Sequence, residues 1–263
     1  MQQYTTLLCN RPTDSILVVT LNRPESRNAL NTQMGRDLLH LFRELIIDAG
    51  ELRCVVLTGA GEHAFCAGGD LKERNGMTDD AWRKQHVIFE QAIYSIMDCP
   101  IPVIAAVNGA AFGGGCEIAL AADFIHASST ARFAQTETKL GIIPGAGGTQ
   151  NLPRAIGVRR AKELIFSAST FTADEAAAWG MVNKVWESEA LLPGVLDLAK
   201  RIAVNGPVAI RQAKRAISIG YETDLKTGLV IEVEAYNSTV PTHDRHEGVL
   251  AFNEKRAPVF RGH

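Results

Sequence analysis

Residues 109–123 read GAAFGGGCEIALAAD. Three consecutive glycines, Gly113, Gly114 and Gly115, run into Cys116 and Glu117 and then into an apolar helical stretch. Glycine gives up backbone order and a carboxylate resists apolar surroundings, so both choices cost stability and need a compensating gain. Glycine lets another group approach the backbone closely, and the first turn of a helix has unpaired N–H groups that favour negative charge. CAGGD at 66–70 repeats the arrangement, with small residues immediately before a helix start. Either loop alone is better explained as a tight turn. Together, two such loops after strands can present a pair of N–H donors to one oxygen, which is what an oxyanion hole requires.

Outward from these loops the chain alternates strand and helix. YTTLLCN and SILVVTLNRP read as a hairpin about RPTD. Asn31-Thr32 precedes a helix with Leu38, Leu41, Phe42, Leu45 and Ile46 at helical spacing and Gly50 as its stop. RCVVLTG and VIAAVNG read as buried strands, AGEHAFCAGGD as turn, 79–97 as a polar helix, and FIHAS and ARFAQ as short strands before the glycine-rich loop GIIPGAGGTQ. From about residue 150 the pattern is mostly helical, broken by the short strand MVNKVW and followed by four helical segments. The recurrence of strand, glycine-rich turn and helix predicts stacked turns with their loops on one side.

Other chemistries find little support. GAGEHA at 59–64 has nucleotide-fingerprint spacing, but no helix opens there to meet a pyrophosphate. His243 and His246 lie in a charged segment with no third ligand, so no metal site is expected. No serine has a G-x-S-x-G context, and Cys66 and Cys116 read as small packing residues. A formal charge of −2 argues against a nucleic-acid surface over the whole chain, and no apolar run approaches a membrane span. Five cysteines without paired spacing and an N-terminus without a signal pattern point to the cytoplasm. Glu117 in a first helical turn and Glu137 at a strand end each have a bland explanation, the local dipole for one and a surface acid for the other. Beside glycine loops, two carboxylates near one donor pair suit general acid–base chemistry.

The whole chain resembles the crotonase (enoyl-CoA hydratase/isomerase) superfamily. NRPESRNALN, AFCAGGDLKE, AAVNGAAFGGGCEIALAAD, ETKLGIIPGAGGTQNLPRAIG, TADEAAAWGMVNKV and EGVLAFNEKRAPVF carry the resemblance in order. It implies an α/β fold: a spiral of ββα repeats, expected over residues 1–200, and a helical C-terminal oligomerisation region, expected over 201–263. The partner it implies is an acyl-CoA thioester, with a homo-oligomer (trimer or dimer of trimers) as the assembly. No cofactor is implied beyond the coenzyme A carried by the substrate. By motif, the oxyanion donors map to the N–H groups of Gly69 and Gly114. Glu117 matches the acid that orients or activates water, and Glu137 the acid that exchanges a proton with the α-carbon. Retention of both favours a hydratase over an isomerase, which commonly keeps only the second.

Ala67, Asp70, Leu71 and Lys72 match a substrate-lining segment, while Arg27 and the region from Phe252 to Lys255 match approaches to the nucleotide. Glu25 stands where some relatives carry a basic residue. DLKER with Met77, AKELIFSA and VPTHDRHEGVLAF look like the 3-methylglutaconyl-CoA hydratase branch, an alternative substrate. That branch includes members with RNA affinity attributed to a lysine-rich early helix. TQMGRDLLHLFRELIID has no lysine, so RNA binding is not expected here. A binding or assembly protein that retains the fold without turnover is the remaining alternative.

Overall fold

The computed structural model describes residues 3–263. Its first hairpin pairs β1 (Leu7–Thr13) with β2 (Ile16–Leu21), but β1 runs through Arg11 and Pro12. The turn is therefore Asp14-Ser15 rather than RPTD. Proline fits there because β1 is an edge strand and a register irregularity falls between Asn10 and Thr13. Next comes α1 (Thr32–Ile47), capped by Asn31, whose side chain accepts from the Met34 N–H at 2.9 Å. Met34, Leu38, Leu41, Phe42 and Leu45 bury one face of it. It stops at extended Asp48, before Gly50, and Ile46 stays largely exposed.

Three circuits follow, each with one strand in a large sheet, one in a small sheet, and helix. The first is β3 (Cys54–Gly59), β4 (Ala64–Cys66), α2 (Leu71–Arg74) and α3 (Asp79–Met97). Helix α3 falls where the sequence placed it, whereas β4 lies within the stretch expected to be turn. The second circuit is β5 (Val103–Val107), β6 (Ala110–Phe112) and α4 (Gly114–Ala121). The third is β7 (Phe124–Ser128), β8 (Arg132–Ala134), a 3-10 turn at Glu137–Leu140, α5 (Gly148–Ile156) and α6 (Val158–Ser167). Then β9 (Phe171–Thr172), α7 (Ala173–Ala178), β10 (Lys184–Trp186) and α8 (Ser188–Ala203) close the spiral.

The large sheet has the order β1-β2-β3-β5-β7-β10 and is parallel apart from β1; the small sheet has the order β4-β6-β8-β9, with only β9 antiparallel. Strands β2, β3 and β5 read as continuous apolar runs because both faces are buried. Leu17, Val19, Val55 and Leu57 join the core shared with Phe65, Phe133 and Phe171 of the small sheet. The alternate residues Ile16, Val18, Cys54 and Val56 pack against Leu191, Val195, Ala199 and Ala203 of α8. The division expected after residue 200 thus falls in the last turn of α8.

Helices α9 (Pro207–Tyr221), α10 (Leu225–Thr239) and α11 (His243–Glu254) form the C-terminal region. Lys214 Nζ ties α9 to the sheet through Asp123 Oδ2 at 2.7 Å and the Ile101 carbonyl at 3.1 Å. Ile217, Leu225, Leu229, Val230, Val233 and Tyr236 remain exposed on α9 and α10. Among the described residues no helix is long and apolar enough to cross a membrane.

One close approach locks the first two circuits together. A Cβ on Gly115 would overlap the Cys66 carbonyl, so β4 and the start of α4 meet backbone to backbone. Gly115→Ala is expected to lower stability by about 1–3 kcal/mol, the range for overpacking a filled core. Urea denaturation measures this, and a loss below about 0.5 kcal/mol would show that the contact relaxes freely.

Candidate active site

Strand β6 ends at Phe112, and Gly113 turns the chain into α4 with φ +50° and ψ −122°. A side chain at Gly113 would be strained by that φ and would also fall 2.7 Å from Glu137 Oε1. Gly114 is the first residue of α4, and Glu117 lies one turn inward. Across from it, the Gly68 carbonyl accepts from the Leu30 N–H at 2.8 Å, and the Asp70 N–H donates to the Leu30 carbonyl at 2.9 Å. That bridge brackets Gly69 and leaves its own N–H without a partner among the described residues. The Gly114 N–H is likewise unspent, as expected at the head of a helix. The two are neighbours: the Gly69 nitrogen is 3.9 Å from the Cβ position of Gly114.

Glu117 is 3% exposed on an otherwise apolar helix. The third glycine-rich loop compensates for that burial. Glu117 Oε1 accepts from the N–H groups of Ala146 and Gly148, both at 2.8 Å. Its other oxygen accepts no hydrogen bond among the described residues. Burial pushes the Glu117 carboxyl up from its usual value, with those two N–H groups and Arg74 opposing. Glu137 begins the 3-10 turn after β8 and is buried, not a surface acid at a strand end. Its Oε2 is buried with no hydrogen-bond partner among the described residues. Burial first, and then the Glu117 charge, push Glu137 up to about 7.

Both acids open into a cleft of about 910 Å³, as do Gly69, Gly114, Ala67 and Leu71. Asp70, Lys72, Arg27, Phe252 and Lys255 do not line it. Asp70 instead caps α2 and pairs with Arg23 at 2.9 Å. Burial would raise its carboxyl, but Arg23 and the α2 amides together hold it below its usual value. Arg27 carries a left-handed backbone (φ 53°), and its carbonyl accepts from the Ala67 N–H at 3.0 Å. Phe252 is 83% exposed on α11, and Lys255 ends that helix. Cys66 and Cys116 are fully buried and their thiols pushed up by that burial, which suits packing rather than nucleophilic attack.

Three contributors were missed in the sequence. The loop GIIPGAGGTQ supplies both donors to Glu117, a role its glycine-rich letters do not disclose. Gln135, two residues before Glu137, is completely buried, and neither polar atom of its amide has a partner among the described residues. A Cβ on Gly148 would lie 2.7 Å from Gln135 Nε2 and 2.9 Å from Glu117 Oε1, so the amide is beside that acid. Arg74 was visible only as a letter of DLKER; it lines the cleft at the end of α2.

Residues 11–263 match the family model described as enoyl-CoA hydratase/isomerase. The short-chain-enoyl-CoA hydratase of Clostridium acetobutylicum is 44% identical over 241 residues, covering 92% of each chain. The human mitochondrial methylglutaconyl-CoA hydratase is 44% identical over 251 residues, covering 94% of this chain and 74% of that one. The crystal structure of an enoyl-CoA hydratase from Bacillus anthracis superposes with a TM-score of 0.96 at 44% identity, covering 98% of this chain and all of that one. On the match over residues 11–263 and the shared fold, the chain belongs to the enoyl-CoA hydratase/isomerase family of crotonase-type proteins.

Proposed function

We propose that the protein is an enoyl-CoA hydratase that adds water reversibly, in the syn sense, to a trans-2-enoyl-CoA to give a 3-hydroxyacyl-CoA. The observation that carries this is the meeting of two buried carboxylates and two unspent N–H donors in one cleft. The thioester oxygen sits between the N–H groups of Gly69 and Gly114, where charge develops as the β-carbon is attacked. One preorganised donor of this kind is worth about 3–4 kcal/mol of barrier. Water, held at the free oxygen of Glu117, bonds through its oxygen to the β-carbon while its proton passes to Glu117. The double-bond electrons move onto the thioester as an enolate, and the α-carbon takes a proton from Glu137. Protein groups supply every step without a cofactor. The relatives named as hydratases support this reaction class. The exposed apolar residues of α9 and α10 suit burial against copies of the chain, in a trimer or a dimer of trimers.

Glu117→Gln and Glu137→Gln are each expected to lower crotonyl-CoA hydration at least ~100-fold, followed by loss of the conjugated thioester absorbance. Near-normal rates in both would end the two-acid mechanism. An isomerase would keep double-bond migration in Glu117→Gln while losing it in Glu137→Gln.

The competent pair carries one proton, on Glu137 before addition and on Glu117 after it. Hydration and dehydration therefore share one pH profile. Because Glu137 is raised to about 7, kcat/KM falls roughly tenfold per unit well above that pH in both directions. A profile flat between about pH 6 and pH 10 contradicts this.

The same shift has a stability consequence. A carboxyl raised in the folded state favours folding below its unfolded value, near 4.3, and that contribution is lost as pH rises through about 7. Glu137→Gln is thus expected to stabilise the fold by about 1–3 kcal/mol at pH 8 and by much less at pH 4. Urea midpoints at the two pH values test it.

A further inference from the structure

Strand β8 sends Phe133 into the core, and two residues further on the same alternation asks for another apolar side chain. Position 135 carries a glutamine instead. Gln135 is fully buried, and neither Nε2 nor Oε1 of its amide has a hydrogen-bond partner among the described residues. A hydrocarbon of the same shape would avoid the cost of burying that amide. The glutamine therefore needs a compensating role.

Two observations locate that role. Gln135 does not line the cleft, so it is not a group that a bound substrate touches. Its donor end meets the loop side of Glu117: the Cβ position of Gly148 is 2.7 Å from Gln135 Nε2 and 2.9 Å from Glu117 Oε1. Gly148 has no side chain to stand between them. The amide and the acid make no direct hydrogen bond, yet two hydrogen bonds of about 2.9 Å in series span the separation this geometry allows. An internal water bonds to otherwise unpaired buried polar groups in just this way. The amide thus stands behind the carboxylate, alongside the Ala146 and Gly148 N–H groups that Oε1 already accepts.

The titratable groups around the head of α4 are Arg74 from α2, Glu137 from the 3-10 turn, the buried thiols of Cys66 and Cys116, and His86 of α3, which reaches the loop at Gly145. Burial pushes the Glu117 carboxyl up. A donor beside a carboxylate favours the ionised form and opposes that push. The opposition matters, because a Glu117 that held the proton at rest could not take one from water.

We propose that Gln135 is a positioning residue for Glu117, its amide donating through one internal water to the loop side of the carboxylate and so keeping the resting proton on Glu137. This rests on reading Glu117 as the acceptor of the proton from water. Gln135 acts only through Glu117 and forms no bond to the reacting atoms.

Gln135→Met and Gln135→Leu remove the amide with two different apolar shapes, so an effect common to both belongs to the amide. In kcat/KM for crotonyl-CoA, the acid limb of the pH profile is expected to move up by about one unit, a tenfold change in the ionisation of Glu117. The alkaline limb near 7 should stay in place, because Glu117 is ionised on both sides of that step. KM should not change. Urea denaturation reads the same coupling without turnover. Losing the donor raises the Glu117 carboxyl further, so the variants should lose stability relative to wild type as pH rises from about 4 to about 8. In a Glu117→Gln background that trend should vanish, whereas one arising from Glu137 or His86 would persist. An acid limb that stays in place overturns the proposal, and so does a stability trend that survives Glu117→Gln. If no enoyl-CoA is hydrated yet the trend depends on Glu117, the hydratase reading falls and the coupling stands. If crotonyl-CoA hydration depends on both acids and the trend is absent, the reverse holds.

Discussion

The Cys66 carbonyl lying against the α-carbon of Gly115 is the constraint on which the rest of the cleft depends. It leaves no room for any side chain, and it fixes how closely the loop after β4 can approach the head of α4. From that approach follow the neighbouring N–H groups of Gly69 and Gly114. The position of Glu117, one turn into α4, is set by the same contact. Gly68 repeats the theme, since a Cβ there would meet the Phe112 carbonyl at 2.8 Å. The two loops are packed as backbone against backbone, and glycine is the only residue that allows it.

Burying two acids side by side would defeat a fold that offered them nothing. Glu117 is compensated by two N–H donors at the head of α5, while Glu137 has a buried oxygen without a partner and a raised carboxyl. The difference is functional. An acid whose charged form two fixed N–H dipoles favour against its burial suits taking a proton, whereas an acid poised near neutrality suits giving one. Arg74 adds a positive charge close enough to oppose both shifts without pairing with either carboxylate. Electrostatics in the cleft is thus set by groups from three successive circuits of the spiral.

The long apolar strands, α1, α3 and the four terminal helices were legible because their periodicity extends over enough residues to be read. Strands β4, β6 and β9, of three, three and two residues, were not. Segments that short carry no period; β8 and β10 are as short but sit in the β-rich runs ARFAQ and MVNKVW, whereas β4, β6 and β9 sit among glycine, alanine and turn residues and exist because the small sheet pairs them. Glu117 drew notice because a carboxylate in an apolar run beside three glycines contradicts local preference, whereas Glu137, Gly69 and Gly114 took their roles from the resemblance of their motifs to the family. Gln135 and Arg74 could not, since a glutamine after a strand and an arginine in a charged helix break no local rule. Only the fold shows that one is wholly buried and that the other turns inward. Likewise Asp70, in a conspicuous motif, turned out to hold α2 and Arg23.

The order in which the spiral lays down its circuits also bears on how the protein matures. Gly69 and Arg74 come from the first circuit, Gly114 and Glu117 from the second, and Glu137 with the Ala146 and Gly148 amides from the third. A nascent chain emerging from its N-terminus therefore exposes a growing sheet edge before it holds any complete ligand site. Until residues 146 and 148 are in place, Glu117 lacks its backbone donors and is a carboxyl that α4 would have to bury unaided. Docking of α4 into the core and completion of the cleft are thereby coupled.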